Sequence, residues 1–233
     1  MFGYGFYFDP TYILVVIGAI ICMAASARVN STFNKYARVR SASGMTGAEA
    51  AERILRMAGV TDVRVEHVAG NLTDHYDPRT KVVRLSDATY GSTSVAAVGV
   101  AAHECGHVMQ HHEGYVPLSL RTALVPVANI GSNLGLPIVI LSLIFGLSDT
   151  LVTVGIVLFS AGVLFQLVTL PVEFNASSRA LRMLESCGIL GSGEVKQSRA
   201  VLSAAALTYV AAAAASILQL LRLLLLANRR RDD

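Results

Sequence analysis

Four stretches of this chain are too apolar to be left in water, and they limit the fold more than any other feature. They are Tyr12 to Ala27, about Val125 to Leu147, Leu151 to Leu170, and the Ala-rich Val201 to Leu221. A helix that crosses a bilayer needs about 20 such residues, because lipid offers no partner for an open backbone N–H or C=O. The first stretch is slightly short of that length. The second contains Asn129, Ser132, Asn133 and Pro137, so its first half is expected to face protein or water. Composition agrees: 53% of residues are hydrophobic and 15% charged, against about 25% charged in ordinary soluble domains, and the mean hydropathy is +0.54. The expected class is a mainly α integral membrane protein with the lipid bilayer as its surroundings. A net charge of +3 gives no reason to expect a nucleic-acid partner. Cys22, Cys105 and Cys187 form no C-x-x-C pair and no even framework, so they read as free thiols.

The charges around these stretches give a topology. Met1 to Pro10 holds no Lys or Arg, which a cleaved signal would need, so Tyr12 to Ala27 reads as a retained anchor. Tyr4, Phe6, Tyr7 and Phe8 ahead of it suit an interfacial aromatic belt. Arg28, Lys35, Arg38 and Arg40 behind it, with no acid among them, mark the cytoplasmic side. Ser148-Asp149-Thr150 joins the second and third stretches without a positive charge, so the two form a hairpin that returns the chain to that side. The last stretch conflicts with the rule. Four full spans carry Arg229, Arg230 and Arg231 to the outer side, unless the final segment is interfacial or only partly inserted.

Between the first two stretches the chain reads as soluble. Thr46-Gly47-Ala48-Glu49 is a capping box opening a helix over Gly47 to Ala58, with Gly59 to end it. Val63, Val65 and His67 alternate with Arg64 and Glu66 as a strand. Asp77 to Thr80 reads as a turn and Lys81 to Leu85 as a second strand. The pair is expected either to offer an edge for substrate backbone or to be a plain surface hairpin.

A helix is then expected over Val95 to Gln110, with Ser92, Thr93 and Ser94 as N-cap candidates. It carries His103-Glu104-Cys105-Gly106-His107. Side chains four apart share a helix face, so the two imidazoles can grip one divalent ion, for which zinc is the usual occupant. Glu104 is placed to act as a base on a metal-activated water without filling a ligand position. Cys105 points away from that face and reads as packing. His111 and His112 read as a polar helix end. A catalytic zinc wants three protein ligands. Glu173, just past Pro171 at the cytoplasmic mouth of the third stretch, is expected as the third, since a carboxylate there is costly unless paired or metal-bound. The competing reading pairs it with Arg179 or Arg182.

Three stretches together, Leu72 to Thr80, Ala101 to His107 and Leu170 to Ser177, with Phe8 to Tyr12 and the Ala-rich last span, resemble the YugP-type neutral zinc metallopeptidases of prokaryotic membranes over essentially the whole chain. The order of parts is also similar to the heat-shock and CAAX-type membrane gluzincins, in which H-E-x-x-H precedes two spans and an E-x-x-x-D motif. The resemblance implies Zn2+ on His103, His107 and Glu173, Glu104 as base, and a zincin-like core on transmembrane helices. It implies an endopeptidase acting on peptide or protein substrates, membrane proteins included. Where that motif has Asp this chain has Ser177, so the orienting of a ligand histidine must pass to another group, with Asn175, Ser177 and Ser178 nearby. His75, Tyr76 and Arg179 are candidate oxyanion donors. The alternative from another class is a membrane scaffold or chaperone-like protein with a structural or vestigial zinc site. A transporter finds no support, as the spans show no paired charges and no repeat.

The expected organisation is an anchor over 1–27, a cytoplasmic-side catalytic region over 28–123, a transmembrane hairpin over 124–172, the third-ligand helical region over 173–200, and a last span with a basic tail over 201–233.

Overall fold

The computed structural model describes residues 9–232, with side chains described through residue 230. The aromatic cluster of Tyr4, Phe6, Tyr7 and Phe8 lies outside the described residues. The elements run α1 (Tyr12–Tyr36), α2 (Gly47–Met57), β1 (Arg64–His67), β2 (His75–Asp77), β3 (Val82–Leu85), α3 (Val95–His112), α4 (Val116–Ile144), α5 (Asp149–Ser186) and α6 (Ser192–Asp232). Helices α1, α4, α5 and α6 are each long and apolar enough to cross a membrane. The chain divides into two compact units. One holds Ala25–Thr122 and Val168–Tyr209; the other holds residues up to Ala24, residues 123–167 and residues from Val210 onward.

In the first unit α2 begins as its sequence dictates. The Thr46 hydroxyl accepts from Glu49 N at 3.2 Å, and the Glu49 carboxylate accepts from Thr46 N at 2.8 Å, closing both halves of the capping box. Gly59, at φ +72°, takes the left-handed turn that ends the helix. The sheet has the order β1-β3-β2. Two strands were legible; β2, only three residues long, was not, and β1 pairs with β3 in parallel, so β1 and β3 are not a hairpin. The hairpin is β2–β3. Asp77 holds its turn, accepting from Arg79 N at 2.9 Å and from the Thr80 hydroxyl at 2.7 Å, and these bonds bring its carboxyl down to about 2.

Helix α3 is the centre of this unit. Ser94 caps it by accepting from Ala97 N at 3.2 Å. Val95, Val98, Ala101, Ala102, Cys105 and Val108 are buried among Ile54 and Leu55 of α2, Val83 and Leu85 of β3, and Ala180 and Leu184 of α5. Two glycines let neighbours close on it. A Cβ on Gly106 would meet the Ala176 carbonyl oxygen of α5 at 2.5 Å, and one on Gly99 would collide with the Ser198 hydroxyl of α6. Both helices therefore lie against α3 at backbone distance.

In the second unit small residues again set the contacts. A Cβ on Gly135 of α4 would meet Phe159 N of α5 at 2.6 Å, and one on Gly18 of α1 would meet Ala215 of α6 at 3.2 Å. Among the described residues, the charges in this apolar unit are paired. Asp9 receives Arg222 at 3.4 Å and Arg229 at 3.5 Å, and the Arg222 guanidinium sits 4.0 Å from the centre of the Tyr12 ring. Arg230 pairs with Asp149 at 3.1 Å.

Several element limits differ from the sequence reading. Helix α1 runs on from Ala27 to Tyr36 through the basic flank. Pro171 does not end the third apolar helix; α5 is continuous to Ser186, so Glu173 sits inside a helix and not beyond one. A proline costs one backbone bond, which a well-packed membrane helix tolerates. Helix α6 likewise passes Leu221 and Arg222 without a break. Of the core expected on transmembrane helices, only the Glu173 side lies on a candidate span; H-E-x-x-H is on α3, which is not among the four.

Candidate metal centre

The close approach of α5 to α3 at Gly106 determines what faces the two histidines. Glu173 precedes Ala176 by three residues, so it lies on the α5 face that meets α3. Its Oε2 is 3.3 Å from His103 Nε2 and 3.6 Å from His107 Nε2. The imidazoles stand nearly perpendicular, 87° between planes, with ring centres 4.8 Å apart. The ligand-capable atoms of His103, His107 and Glu173 all fall within 4.8 Å of one another.

Zinc fits this arrangement. Two ligands about 2.0–2.1 Å from a tetrahedral ion stand about 3.3–3.4 Å apart, close to both nitrogen–oxygen separations. Glu173 is 3% exposed, yet its Oε2 has no hydrogen-bond partner. A buried carboxylate oxygen without a donor is costly, and a cation between the three side chains removes that cost.

His107 is held in the tautomer that ligation needs, and His103 is oriented by a hydroxyl. The Ser177 hydroxyl lies 3.1 Å from His103 Nδ1, and Gln110 Oε1 lies 3.0 Å from His107 Nδ1. The Gln110 amide is itself fixed. Its Nε2 donates to Val172 O at 2.8 Å and to Asn175 Oδ1 at 3.0 Å, which leaves Oε1 as an acceptor for Nδ1–H. The His107 Nε2 lone pair is then free to face Glu173. The network continues outward, with Arg179 Nε donating to Asn175 Oδ1 at 2.7 Å and Arg179 pairing with Glu113 at 2.8 Å. In the absence of metal, burial pulls the His107 pKa down, but the nearby Glu173 and Glu104 carboxylates outweigh it and hold the pKa up.

A cavity of about 170 Å³ opens beside these side chains. His103, Glu104, Glu173 and Ser177 line it, with Asp74, Tyr209 and an apolar wall that includes Val29, Val100 and Leu202. Glu104 is 7% exposed and faces the same space as Glu173. Leu72 also borders the cavity with a left-handed backbone, φ +57°, which is a strained setting for leucine.

The expected residues divide cleanly. His103, His107 and Glu173 meet, and Glu104 joins them. Glu173 is next to neither Arg179 nor Arg182; the cation by it is Arg121, 3.8 Å from Oε1. Of the three groups near the missing Asp, Ser177 is the one that reaches a ligand histidine, and Asn175 works through Gln110. The three oxyanion candidates lie elsewhere. His75 Nδ1 is engaged with Thr73 O at 2.8 Å, Tyr76 packs edge-on to His111, and Arg179 is committed to Asn175 and Glu113. His111 and His112 are exposed at the end of α3. Cys105 is fully buried, its thiol pKa pushed up by that burial, and all three cysteines are free. Sequence reasoning missed Gln110, Arg121 and Tyr209. Gln110 was the findable one, three residues after His107 on the same helix face.

The family model described as "Putative neutral zinc metallopeptidase" matches residues 11–228. The "Putative membrane protease YugP" of Bacillus subtilis (strain 168) is 49% identical over 201 residues, which is 86% of this chain and 89% of that protein. No solved structure matches. With three converging side chains that could hold a metal ion, four membrane-length helices among the described residues and a match across nearly its whole length, this membrane protein belongs to the neutral zinc metallopeptidase family, whose cofactor is Zn2+.

Proposed function

We propose that the protein is a multi-pass plasma-membrane endopeptidase that hydrolyses peptide bonds beside the cytoplasmic face, with membrane proteins among its substrates. The observation that carries this reading is Glu104. A site built only to hold zinc has no need of a carboxylate facing the same cavity as the ligands, and here one does. His103, His107 and Glu173 would hold the metal. When bound, zinc supplies a Lewis acid that brings the pKa of a water to about 7. Glu104 takes the proton from that water as its oxygen adds to the peptide carbonyl carbon. The carbonyl π electrons move onto oxygen. As they return, the C–N bond breaks, and Glu104 passes its proton to the leaving nitrogen. Gln110 and Ser177 keep the imidazoles oriented throughout. The cytoplasmic placement rests on Arg28, Lys35, Arg38 and Arg40 after the first apolar stretch.

The test is cleavage of a fluorogenic casein-derived peptide by the zinc-loaded protein in nanodiscs. Chelator should abolish cleavage and zinc restore it, and Glu104→Gln should retain zinc while losing at least 100-fold in kcat. Full zinc occupancy without chelator-sensitive cleavage would instead support the scaffold reading.

A further inference from the structure

We propose that Tyr209 of α6 donates the hydrogen bond that stabilises the carbonyl oxyanion during peptide hydrolysis. This rests on the peptidase reading above. An acyl-transfer site needs a donor aimed at the oxygen on which charge develops. None of the three donors that the sequence offered lines the cavity: His75 is bonded to Thr73, Tyr76 packs its ring on His111, and Arg179 is held by Asn175 and Glu113. The donor therefore has to come from the cavity wall itself.

Among the described residues that wall has few polar groups. Asp74 and Glu104 are carboxylates and accept only; Asp74 already receives Ser86 N and the Ser86 hydroxyl at 2.8 and 2.9 Å. His103 faces Glu173 with its Nε2, and Ser177 is occupied with the other nitrogen of His103. Tyr209 remains. Its side chain is half-buried in the wall beside Glu173, and the Glu173 carboxylate engages its O–H in the metal-free site; zinc would take up that carboxylate and leave the O–H to the substrate. A phenol is a sound choice for the task. It stays protonated at neutral pH, donates one directed bond, and its rigid ring carries little rotamer freedom to lose. Ala205 and Ala206, one turn before it on α6, line the same cavity.

The rival donor is Arg121, near Glu173 Oε1 but not part of the cavity wall. The experiment measures binding of a phosphinic pseudo-tripeptide, whose tetrahedral phosphorus oxygens mimic the oxyanion, to the zinc-loaded protein by calorimetry. Tyr209→Phe should weaken this binding about 100-fold, in keeping with the usual effect of one oxyanion donor. Zinc stoichiometry and zinc affinity should not change, and with a cleaved peptide kcat should fall while KM stays within a few-fold. Unchanged phosphinate affinity in Tyr209→Phe would overturn the proposal. So would a matching loss of zinc affinity, which would make Tyr209 a support for Glu173, or a loss caused by Arg121→Gln and not by Tyr209→Phe. Wild-type turnover tests the peptidase reading separately, and the inhibitor measurement reports on Tyr209 whether or not turnover is seen.

Discussion

Replacing Gln110 by Met should weaken zinc binding far more than it weakens the fold. Gln110 is wholly buried and makes three bonds, at 3.0 Å to His107 Nδ1, 2.8 Å to Val172 O and 3.0 Å to Asn175 Oδ1. At about 1 kcal/mol net for each bond, the loss to stability is at most about 3 kcal/mol. Methionine fills nearly the same volume and recovers part of that by apolar packing. Val172 O sits within α5 and Asn175 still receives Arg179, so neither is left as a bare buried acceptor. His107 is left with an unpaired Nδ1–H donor. With no acceptor beside Nδ1, its proton is free to sit on Nε2, the atom that would coordinate. Removing such a partner commonly costs 10–100-fold in metal affinity, or about 1.4–2.7 kcal/mol. Competition with a fluorescent zinc chelator at pH 7.5 measures the affinity, and a thermal melt of the metal-free protein measures the fold. Zinc affinity within two-fold of wild type, with the melt lowered, would refute the claim that Gln110 sets the His107 tautomer.

Gly106→Ala should separate α3 from α5, because its Cβ meets Ala176 O at 2.5 Å; overpacking of this kind costs about 1–3 kcal/mol, and a lower melting temperature with weaker zinc binding is the expected pair of results. The pH response should reverse with metal. His107 has a raised pKa in the metal-free fold, so its contribution is fully present below the unfolded value near 6.5 and fades as pH rises through the folded one. Zinc needs neutral imidazole, so its stabilisation grows over the same interval. Melts from pH 5.5 to 8.5 should therefore fall for chelated protein relative to zinc-loaded protein, and parallel curves would contradict this. Asp77→Asn, which removes a carboxylate held at about 2 by Thr80, Arg79 and Arg84, should loosen the β2–β3 turn, visible as faster amide exchange at Thr80.

The parts of the protein that could be read from the sequence are those whose physics is local. Thr46 and Glu49 are three residues apart, and His103 and His107 four, so caps and ligand pairs show themselves in a string of letters. Glu173 needed a further step, the return of a hairpin to one side of a bilayer; the residue it pointed to faces the two histidines, though from inside a helix and not beyond one. Pro171 suggested a helix end because a single chain shows the lost N–H but not the packing that makes up for it. Strand β2 was invisible because three residues carry no period, and its pairing with β3 is what defines it. Tyr209 lies among alanines in an apolar run, where nothing nearby marks it as chemistry; only the fold brings it to the cavity.

One consequence follows from α5 running unbroken from Asp149 to Ser186. A membrane-length helix and the Glu173 carboxylate belong to one continuous element, so acyl-chain length should act on the site. Lipids too short for the apolar stretch make such a helix tilt, and a few degrees over the pitch of several turns shift a side chain by a large fraction of an ångström. In vesicles graded from short to long acyl chains, zinc affinity should pass through a maximum, so the thickness of the host bilayer sets how well the ion is held.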